Sequence, residues 1–220
     1  MASRGTPTDA RRPAPRLYLM TPPVGDPARA HDALAAALGA ADVAAVLLRL
    51  AASDERTQVN CAKALVPVVQ DRGAALLLDG CPDIVARSDA DGAHLSGIDA
   101  LEGALATLKP TRIAGCGGLA TRHDAMVAAE SGADYVMFGE PDGRRQRPSF
   151  EAVVDRVAWW AEVFEVPCVG YAGSMDEVTP LAVAGAEFVA VGDWIFEHTR
   201  GPAAAVAEAA GRLVPAETPG

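Results

Sequence analysis

The chain has 220 residues and a net charge of −10, an acidic balance that argues against binding to nucleic acid, which requires a basic surface. Half of the residues are hydrophobic, so the chain can bury the core of a folded domain and is not disordered throughout. No apolar run is long enough for a membrane span, and no pair of the four cysteines has the C-x-x-C spacing of zinc or redox sites. We therefore expect a cytoplasmic protein without a nucleic-acid or membrane partner.

The two ends of the chain differ in composition from the rest. Residues 1–15 are rich in arginine, proline, alanine and threonine, and they lack the apolar segment of a secretory signal. We predict a disordered tail over residues 1–15 and another over residues 214–220. A single folded domain is predicted over residues 16–213.

One sequence phrase recurs along the folded part of the chain. Gly-Ala followed by Asp or Glu, at Gly132–Asp134 and at Gly185–Glu187, comes directly before an apolar run. Glycine commonly ends a helix in the left-handed conformation, and an apolar run without alternation is typical of a strand buried on both faces. The eight strands that such runs predict are Leu17–Thr21, Val43–Arg49, Ala74–Asp79, Ala93–Ser96, Arg112–Cys116, Tyr135–Gly139, Pro167–Tyr171 and Phe188–Gly192.

The segments between these strands have helical features. Ala28–Leu38 and Pro202–Leu213 are rich in alanine, and large apolar residues recur at helical spacing over residues 150–164. Eight strand–helix units in a chain of this length predict a compact (βα)8 TIM barrel with parallel strands. A doubly wound open sheet is the alternative, but no Gly-x-Gly-x-x-Gly follows the first strand. Trp159 and Trp160 cannot both face the barrel equally, so one is either a candidate contact in a homo-oligomer or only partly buried.

The glycine-containing loops after the last two strands predict a phosphate site. Gly173 and Ser174 follow the seventh strand, while Gly192 ends the eighth strand and Asp193 follows it. In TIM barrels the active site lies at the carboxyl ends of the strands, and these two loops commonly bind phosphate through backbone N–H groups. The alternative is that the glycines only make tight turns.

Charged residues end the second and third strands. A lone buried arginine is costly unless it is paired, so Arg49 either binds an anion or pairs with a carboxylate such as Asp79. Asp79 and Asp99 come at the ends of neighbouring strands, and two carboxylates can share one Mg²⁺ ion. The alternative is a turn at Asp79 and a helix cap at Asp99.

Two further features near strand ends leave alternatives open. The loop after the sixth strand contains Arg144, Arg145 and Arg147, which predicts either a lid over an anion or a solvated surface loop. His94 lies within the fourth strand, where a lone histidine is more often a hydrogen-bonded core residue than a catalytic group.

Similarity to a known family is concentrated in four segments, which are Leu17–Thr21, Asp91–Gly97, Gly132–Val136 and Val169–Gly173. Through these segments, above all the Asp-Gly-x-His run, the chain resembles the thiamine phosphate synthase/TenI family. The resemblance implies a TIM barrel that binds a phosphorylated small molecule, thiazole phosphate or thiamine phosphate. In this family the synthase joins an aminopyrimidine diphosphate to a thiazole phosphate with Mg²⁺ and releases pyrophosphate.

The resemblance also implies roles for individual residues. Arg49 matches an arginine at the pyrophosphate, Asp99 matches a metal-binding aspartate, and Gly173 and Gly192 match glycines at the thiazole phosphate. The family's Thr-x-Thr-Lys loop is replaced here by the arginine-rich residues 143–147, which are possible pyrophosphate contacts.

Several charged positions depart from the family pattern. A Gln-x-Arg-x-Lys run keeps only Arg49, an Asn-Asp pair reads Asp79-Gly80, and a serine beside Gly192 is Asp193. Charge-assisted hydrogen bonds contribute about 1.5–3 kcal/mol each, so these losses weaken the stabilisation of a leaving pyrophosphate. The alternatives are therefore a phosphate-ligand-binding protein without catalysis, another phosphate-sugar barrel enzyme, or a TenI-like thiazole tautomerase, for which His123 is offset toward a helix.

Overall fold

Eight parallel strands close into a barrel in which each strand pairs with the next and β8 pairs with β1. This computed structural model describes residues 14–142, 144 and 146–213, so the predicted tails lie outside it apart from residues 14 and 15. The closed sheet confirms the (βα)8 barrel and excludes the open sheet, and each predicted strand is found within one residue at either end. The strands are β1 (Arg16–Met20), β2 (Val43–Leu48), β3 (Ala75–Asp79), β4 (Gly92–Ser96), β5 (Ile113–Gly117), β6 (Tyr135–Phe138), β7 (Cys168–Ala172) and β8 (Phe188–Val191).

Helices alternate with the strands, and 3₁₀ turns at Pro82–Ile84 and Met175–Glu177 lead into two of them. None of the helices in the described ranges is both long and apolar enough to cross a membrane. The helices are α1 (Pro27–Leu38), α2 (Glu55–Gln70), α3 (Val85–Ser88), α4 (Ile98–Leu108), α5 (Arg122–Ser131), α6 (Phe150–Val163), α7 (Val178–Ala184), α8 (Asp193–Phe196) and α9 (Gly201–Leu213).

Local sequence signals set the helix ends. The Asp26 side chain accepts hydrogen bonds from the first N–H groups of α1, and Thr121 and Asp124 form a reciprocal capping box at the start of α5. Gly132 ends α5 with φ at 111°, and Gly185 ends α7 with φ at 100°. Both angles lie in the left-handed region that favours glycine, so the repeated phrase marks a turn from helix to strand, as predicted.

The acidic residue of the repeated phrase bonds to the preceding strand. Asp134, directly before β6, accepts a hydrogen bond of 2.7 Å from a β5 N–H group, and Glu187, directly before β8, accepts one of 2.9 Å from a β7 N–H group. Asp91, before β4, likewise accepts a bond of 2.7 Å from the Leu76 N–H group in β3. These carboxylates therefore tie neighbouring strands together near their amino ends.

Apolar side chains fill two layers, one inside the barrel and one between the strands and the helices. Trp160 is completely buried in the outer layer, where its ring stacks on Phe164. Trp159 is only half-buried, and the Arg122 guanidinium lies 4.7 Å from the centre of its ring. The inner layer contains Tyr18, Met20, Leu47, Leu77, Tyr135, Met137, Val169 and Tyr171.

A chain of polar groups crosses the inside of the barrel. The hydroxyl oxygens of Tyr18 and Tyr135 lie 2.8 Å apart, and the Tyr135 oxygen lies 2.9 Å from His94 Nδ1. The Tyr135 and His94 rings are stacked, with centroids 5.7 Å apart. His94 is only 4% exposed, and this burial lowers its pKa to about 4 because water is lost from the charged imidazolium. The imidazole is therefore neutral at pH 7.

We expect Asp91→Ala to lower the free energy of unfolding by about 1–3 kcal/mol, because the Leu76 N–H group loses its acceptor at the barrel wall. Asp91→Asn keeps a side-chain oxygen at the same place and is the matched control, with a smaller loss. Urea unfolding monitored by circular dichroism measures both values. Equal stability of the alanine variant and the unmodified protein would contradict the role given to this carboxylate.

Acidification is expected to destabilise the protein through His94. Its folded-state pKa of about 4 lies below the ordinary value of 6.5, so the unfolded chain binds more protons between these values and stability falls as the pH drops. From pH 7 to pH 5 the loss amounts to about 2 kcal/mol. His94→Gln removes this slope, whereas His31→Gln, on the exposed face of α1, keeps it. Unfolding curves at both pH values test this, and the same slope in His94→Gln would refute it.

Candidate active site

A cavity of about 470 Å³ opens at the carboxyl ends of the strands. Its apolar walls come from Met20, Leu47 and Tyr171, on β1, β2 and β7. The predicted site residues Arg49, Asp79, Gly192 and Asp193 lie in its lining, whereas Gly173, Ser174, Asp99, Arg144 and Arg147 do not. The polar side chains of the lining are Arg49, Asp79, His94, Ser96, Glu140, Asp142 and Asp193.

Arg49 is fixed between the loops that follow β1 and β8. Its Nη2 donates to the Asp193 carboxylate and its Nε donates to the Thr21 carbonyl oxygen. The Arg49 N–H group also donates to Thr21 Oγ1, at 3.1 Å. The side chain remains 26% exposed, so part of it is accessible to a ligand. Arg49 pairs with a carboxylate in the structure, but that carboxylate is Asp193 and not Asp79; anion binding by Arg49 stays a prediction.

Only one of the two predicted magnesium ligands lies at the cavity. Burial raises the pKa of Asp79, because the carboxylate loses water, and the nearby Arg49 charge opposes this shift. Asp99 is exposed on the first turn of α4, outside the lining. Among the residues that the structure describes, no group of three or more His, Cys, Asp or Glu side chains is arranged to hold a metal ion.

The loop after β7 already contains an anion, the carboxylate of Glu177. Glu177 Oε2 accepts hydrogen bonds from the Gly173 N–H group at 2.7 Å and from Arg147 Nη2 at 2.8 Å. The Arg147 guanidinium also lies 5.4 Å from the centre of the Tyr171 ring. The Gly173 N–H group, which the sequence assigns to phosphate, thus donates to a side-chain carboxylate of the protein. Ser174, the residue after Gly173, is exposed.

The arginines of the loop after β6 are separated in space. Arg147 reaches the β7 loop, whereas Arg144 is exposed and Arg145 lies outside the described residues. Asp142 Oδ1 accepts hydrogen bonds of 2.8 Å from the N–H groups of Arg144 and Gln146, so this loop is folded on its own aspartate. His123, the residue considered for tautomerase chemistry, is exposed on α5 and is not part of the lining.

Glu140 lines the cavity and was not among the residues predicted from the sequence. It lies two residues beyond the end of β6, and its Oε1 accepts a hydrogen bond from the Gly118 N–H group. Burial raises the pKa of this carboxyl, and the neighbouring Asp79 raises it further, while the Gly118 bond opposes the shift. A charged residue at the end of an apolar run was the signal that indicated Arg49, and Glu140, which follows the predicted strand Tyr135–Gly139, carries a similar signal.

Comparisons with known proteins agree with this geometry. The profile of the family described as thiamine monophosphate synthase matches residues 17–195. Proteins named thiamine-phosphate synthase from Rhodospirillum centenum and Hyphomonas neptunium are 44% and 35% identical to the chain. The first alignment covers 88% of this chain and 95% of the relative, and the second covers 91% and 95%.

Solved structures share the fold at lower sequence identity. A thiamine phosphate pyrophosphorylase from Pyrococcus furiosus superposes with a TM-score of 0.75 at 21% identity, over 90% of this chain and 95% of that one. A 3-hexulose-6-phosphate synthase superposes with a TM-score of 0.69 at 14% identity, over 90% and 100% of the two chains. These likenesses show the barrel alone. The profile match and the close relatives show more, namely that the chain belongs to the thiamine monophosphate synthase family.

Proposed function

We propose that this protein is a thiamine-phosphate synthase, which joins an aminopyrimidine diphosphate to a thiazole phosphate. The family profile and the relatives of the same name support this activity. The observation that carries it in the structure is Arg49, a cation held at the wall of a cavity large enough for small heteroaromatic rings. Among the described residues of the lining, it is the only arginine or lysine.

The reaction needs a stabilised leaving group more than it needs a base. The bond between the pyrimidine methylene carbon and the pyrophosphate oxygen breaks, and its electron pair leaves with pyrophosphate. The thiazole nitrogen then supplies the electron pair of the new carbon–nitrogen bond. Negative charge therefore grows on the pyrophosphate oxygens, and a cation fixed beforehand stabilises it without reorganisation. Arg49 is held by Thr21 and Asp193 and is suited to this role.

Asp79 is the carboxylate that would hold Mg²⁺ in this enzyme. Its oxygens line the cavity, and burial penalises their negative charge, which a cation would compensate. Proteins often bind Mg²⁺ through one or two carboxylates together with substrate phosphates, so Asp79 and pyrophosphate form a suitable donor set. When bound, the ion neutralises charge on the leaving pyrophosphate. Asp99, on the exposed turn of α4, would be a more peripheral second ligand.

The thiazole phosphate would bind at the loops after β7 and β8. Gly173 and Ser174 supply backbone N–H groups at one loop, and Gly192 and Asp193 form the other. Because Glu177 now accepts the Gly173 N–H bond, the phosphate takes the place of that carboxylate when it binds. Arg147, released from Glu177, then contributes a cation to the phosphate.

We also propose the binding partners of the enzyme and its cellular compartment. Its partners are phosphorylated small molecules, and the half-buried Trp159 on α6 is the candidate contact for a homo-oligomer. We assign the protein to the cytoplasm, which the scattered spacing of its four cysteines supports.

Arg49→Ala is expected to lower kcat/KM by about a hundredfold or more, because the leaving pyrophosphate loses its fixed cation. Product is measured after oxidation of thiamine phosphate to its fluorescent derivative, with both substrates and Mg²⁺ present. Arg56→Ala, an exposed arginine on α2, is the matched control and keeps full activity. If thiazole phosphate stabilises the unmodified protein against heat but the assay yields no thiamine phosphate, the synthase proposal is refuted and the protein is a binding protein.

Asp193→Ser is expected to tighten binding of thiazole phosphate about tenfold, or about 1.4 kcal/mol. The substitution removes a carboxylate that repels the phosphate and neutralises Arg49, and it adds a hydroxyl donor. Isothermal titration calorimetry measures the affinity. Asp32→Ser, on the exposed surface of α1, makes the same change in net charge and leaves affinity unchanged. Weaker binding in Asp193→Ser would mean that positioning Arg49 outweighs the repulsion.

A further inference from the structure

We propose that Glu140 is the residue that recognises the aminopyrimidine, its carboxyl group pairing with the exocyclic amino group and the ring nitrogen beside it. The inference rests on the proposed synthase function and deepens it by naming the group that distinguishes this ring from other flat heterocycles. Arg49 and the phosphate loops recognise charge, which many phosphorylated molecules share, so recognition of the ring needs a separate group.

The barrel order places Glu140 opposite the cationic part of the cavity. Arg49 and Asp193 belong to the arc formed by β2, β1 and β8, whereas His94 and Glu140 belong to the arc formed by β4, β5 and β6. In a closed ring of eight strands, β1 lies across from β5. A substrate with its diphosphate at Arg49 therefore extends its ring across the cavity toward Glu140, between the apolar Met20 and Leu47 on one side and Tyr171 on the other.

Close packing fixes the carboxyl in place. The Gly118 N–H group donates to Glu140 Oε1 from the end of β5. A Cβ atom placed on Gly117 would lie 2.2 Å from Glu140 Oε1 and 2.7 Å from His94 Nε2, so the two side chains meet directly over this glycine. Because His94 Nδ1 faces Tyr135, the Nε2 edge is the one that faces Glu140. The carboxyl is therefore held before any ligand arrives.

The chemistry of a carboxyl group in its protonated form matches an aminopyrimidine. Such a group presents an O–H donor and a C=O acceptor side by side, while the ring presents a nitrogen acceptor next to an amino donor. Two parallel hydrogen bonds result.

The test compares two substitutions that separate recognition of the ring from metal binding. Glu140→Gln keeps a donor and an acceptor side by side but has no charge for Mg²⁺, whereas Glu140→Leu removes both functions. The probes are the unphosphorylated hydroxymethyl aminopyrimidine and its analogue with hydrogen in place of the amino group, with affinities measured by calorimetry. A second loss variant, Glu140→Ala, serves if the leucine does not fold, as judged by circular dichroism.

We expect the unmodified protein to bind the aminopyrimidine at least tenfold more tightly than the des-amino analogue. Glu140→Gln is expected to keep this preference, and Glu140→Leu to reduce it to less than threefold. In turnover assays the KM for the aminopyrimidine diphosphate rises in Glu140→Leu, while the KM for thiazole phosphate does not. An unchanged preference in both loss variants overturns the proposal.

Other outcomes separate this proposal from the synthase activity itself. Turnover by the unmodified protein together with an unchanged preference in Glu140→Leu refutes the role of Glu140 and leaves the synthase proposal standing. A preference that depends on Glu140, without any turnover, supports its role and contradicts the synthase proposal. If Glu140→Gln loses both Mg²⁺ affinity and the preference for the aminopyrimidine over the des-amino analogue, the carboxyl is a metal ligand. That result also overturns the proposal.

Discussion

The ion pair between Arg49 and Asp193 is the interaction on which the candidate site depends. A guanidinium at the end of a buried strand is costly without a partner, and here it joins the loops after β1, β2 and β8 through Thr21 and Asp193. Arg147 and Glu177 repeat the arrangement at the loop after β7. Both pairs fix a cation in place, and both require an incoming anion to compete with a carboxylate of the protein.

A chain of polar groups crosses the inside of the barrel from β1 to β6 and β4. Tyr18, Tyr135 and His94 form a buried chain of hydrogen-bonding groups whose histidine stays neutral at pH 7 because burial lowers its pKa to about 4. Glu140 lines the cavity on the side of His94, and its Oε1 accepts a hydrogen bond from the Gly118 N–H group. We therefore propose that Arg49, on one side of the cavity, meets the phosphate groups, and that Glu140, on the other, meets the hydrogen-bonding edge of the heterocycle.

Strand positions were predictable because parallel barrel strands are buried on both faces and appear as apolar runs between helix-ending glycines. Arg49 and Asp79 were also predictable as site residues, since charge at the end of such a run needs a partner. The contact between Arg147 and Glu177 was not, because a long side chain from one loop reaches another loop 30 residues away in sequence. Glu140 was overlooked because it follows Gly139 in a segment dominated by arginines, although it carries a signal similar to that of Arg49.

The proposed function depends on whether the protein converts both substrates to thiamine phosphate. The most direct measurement is ³¹P nuclear magnetic resonance of the protein with aminopyrimidine diphosphate, thiazole phosphate and Mg²⁺. We expect the diphosphate resonances to disappear in step with the growth of free pyrophosphate and of a thiamine phosphate resonance. Substrate resonances that broaden or shift on binding, without any pyrophosphate released, would contradict the central claim and leave a phosphate-binding barrel without synthase activity.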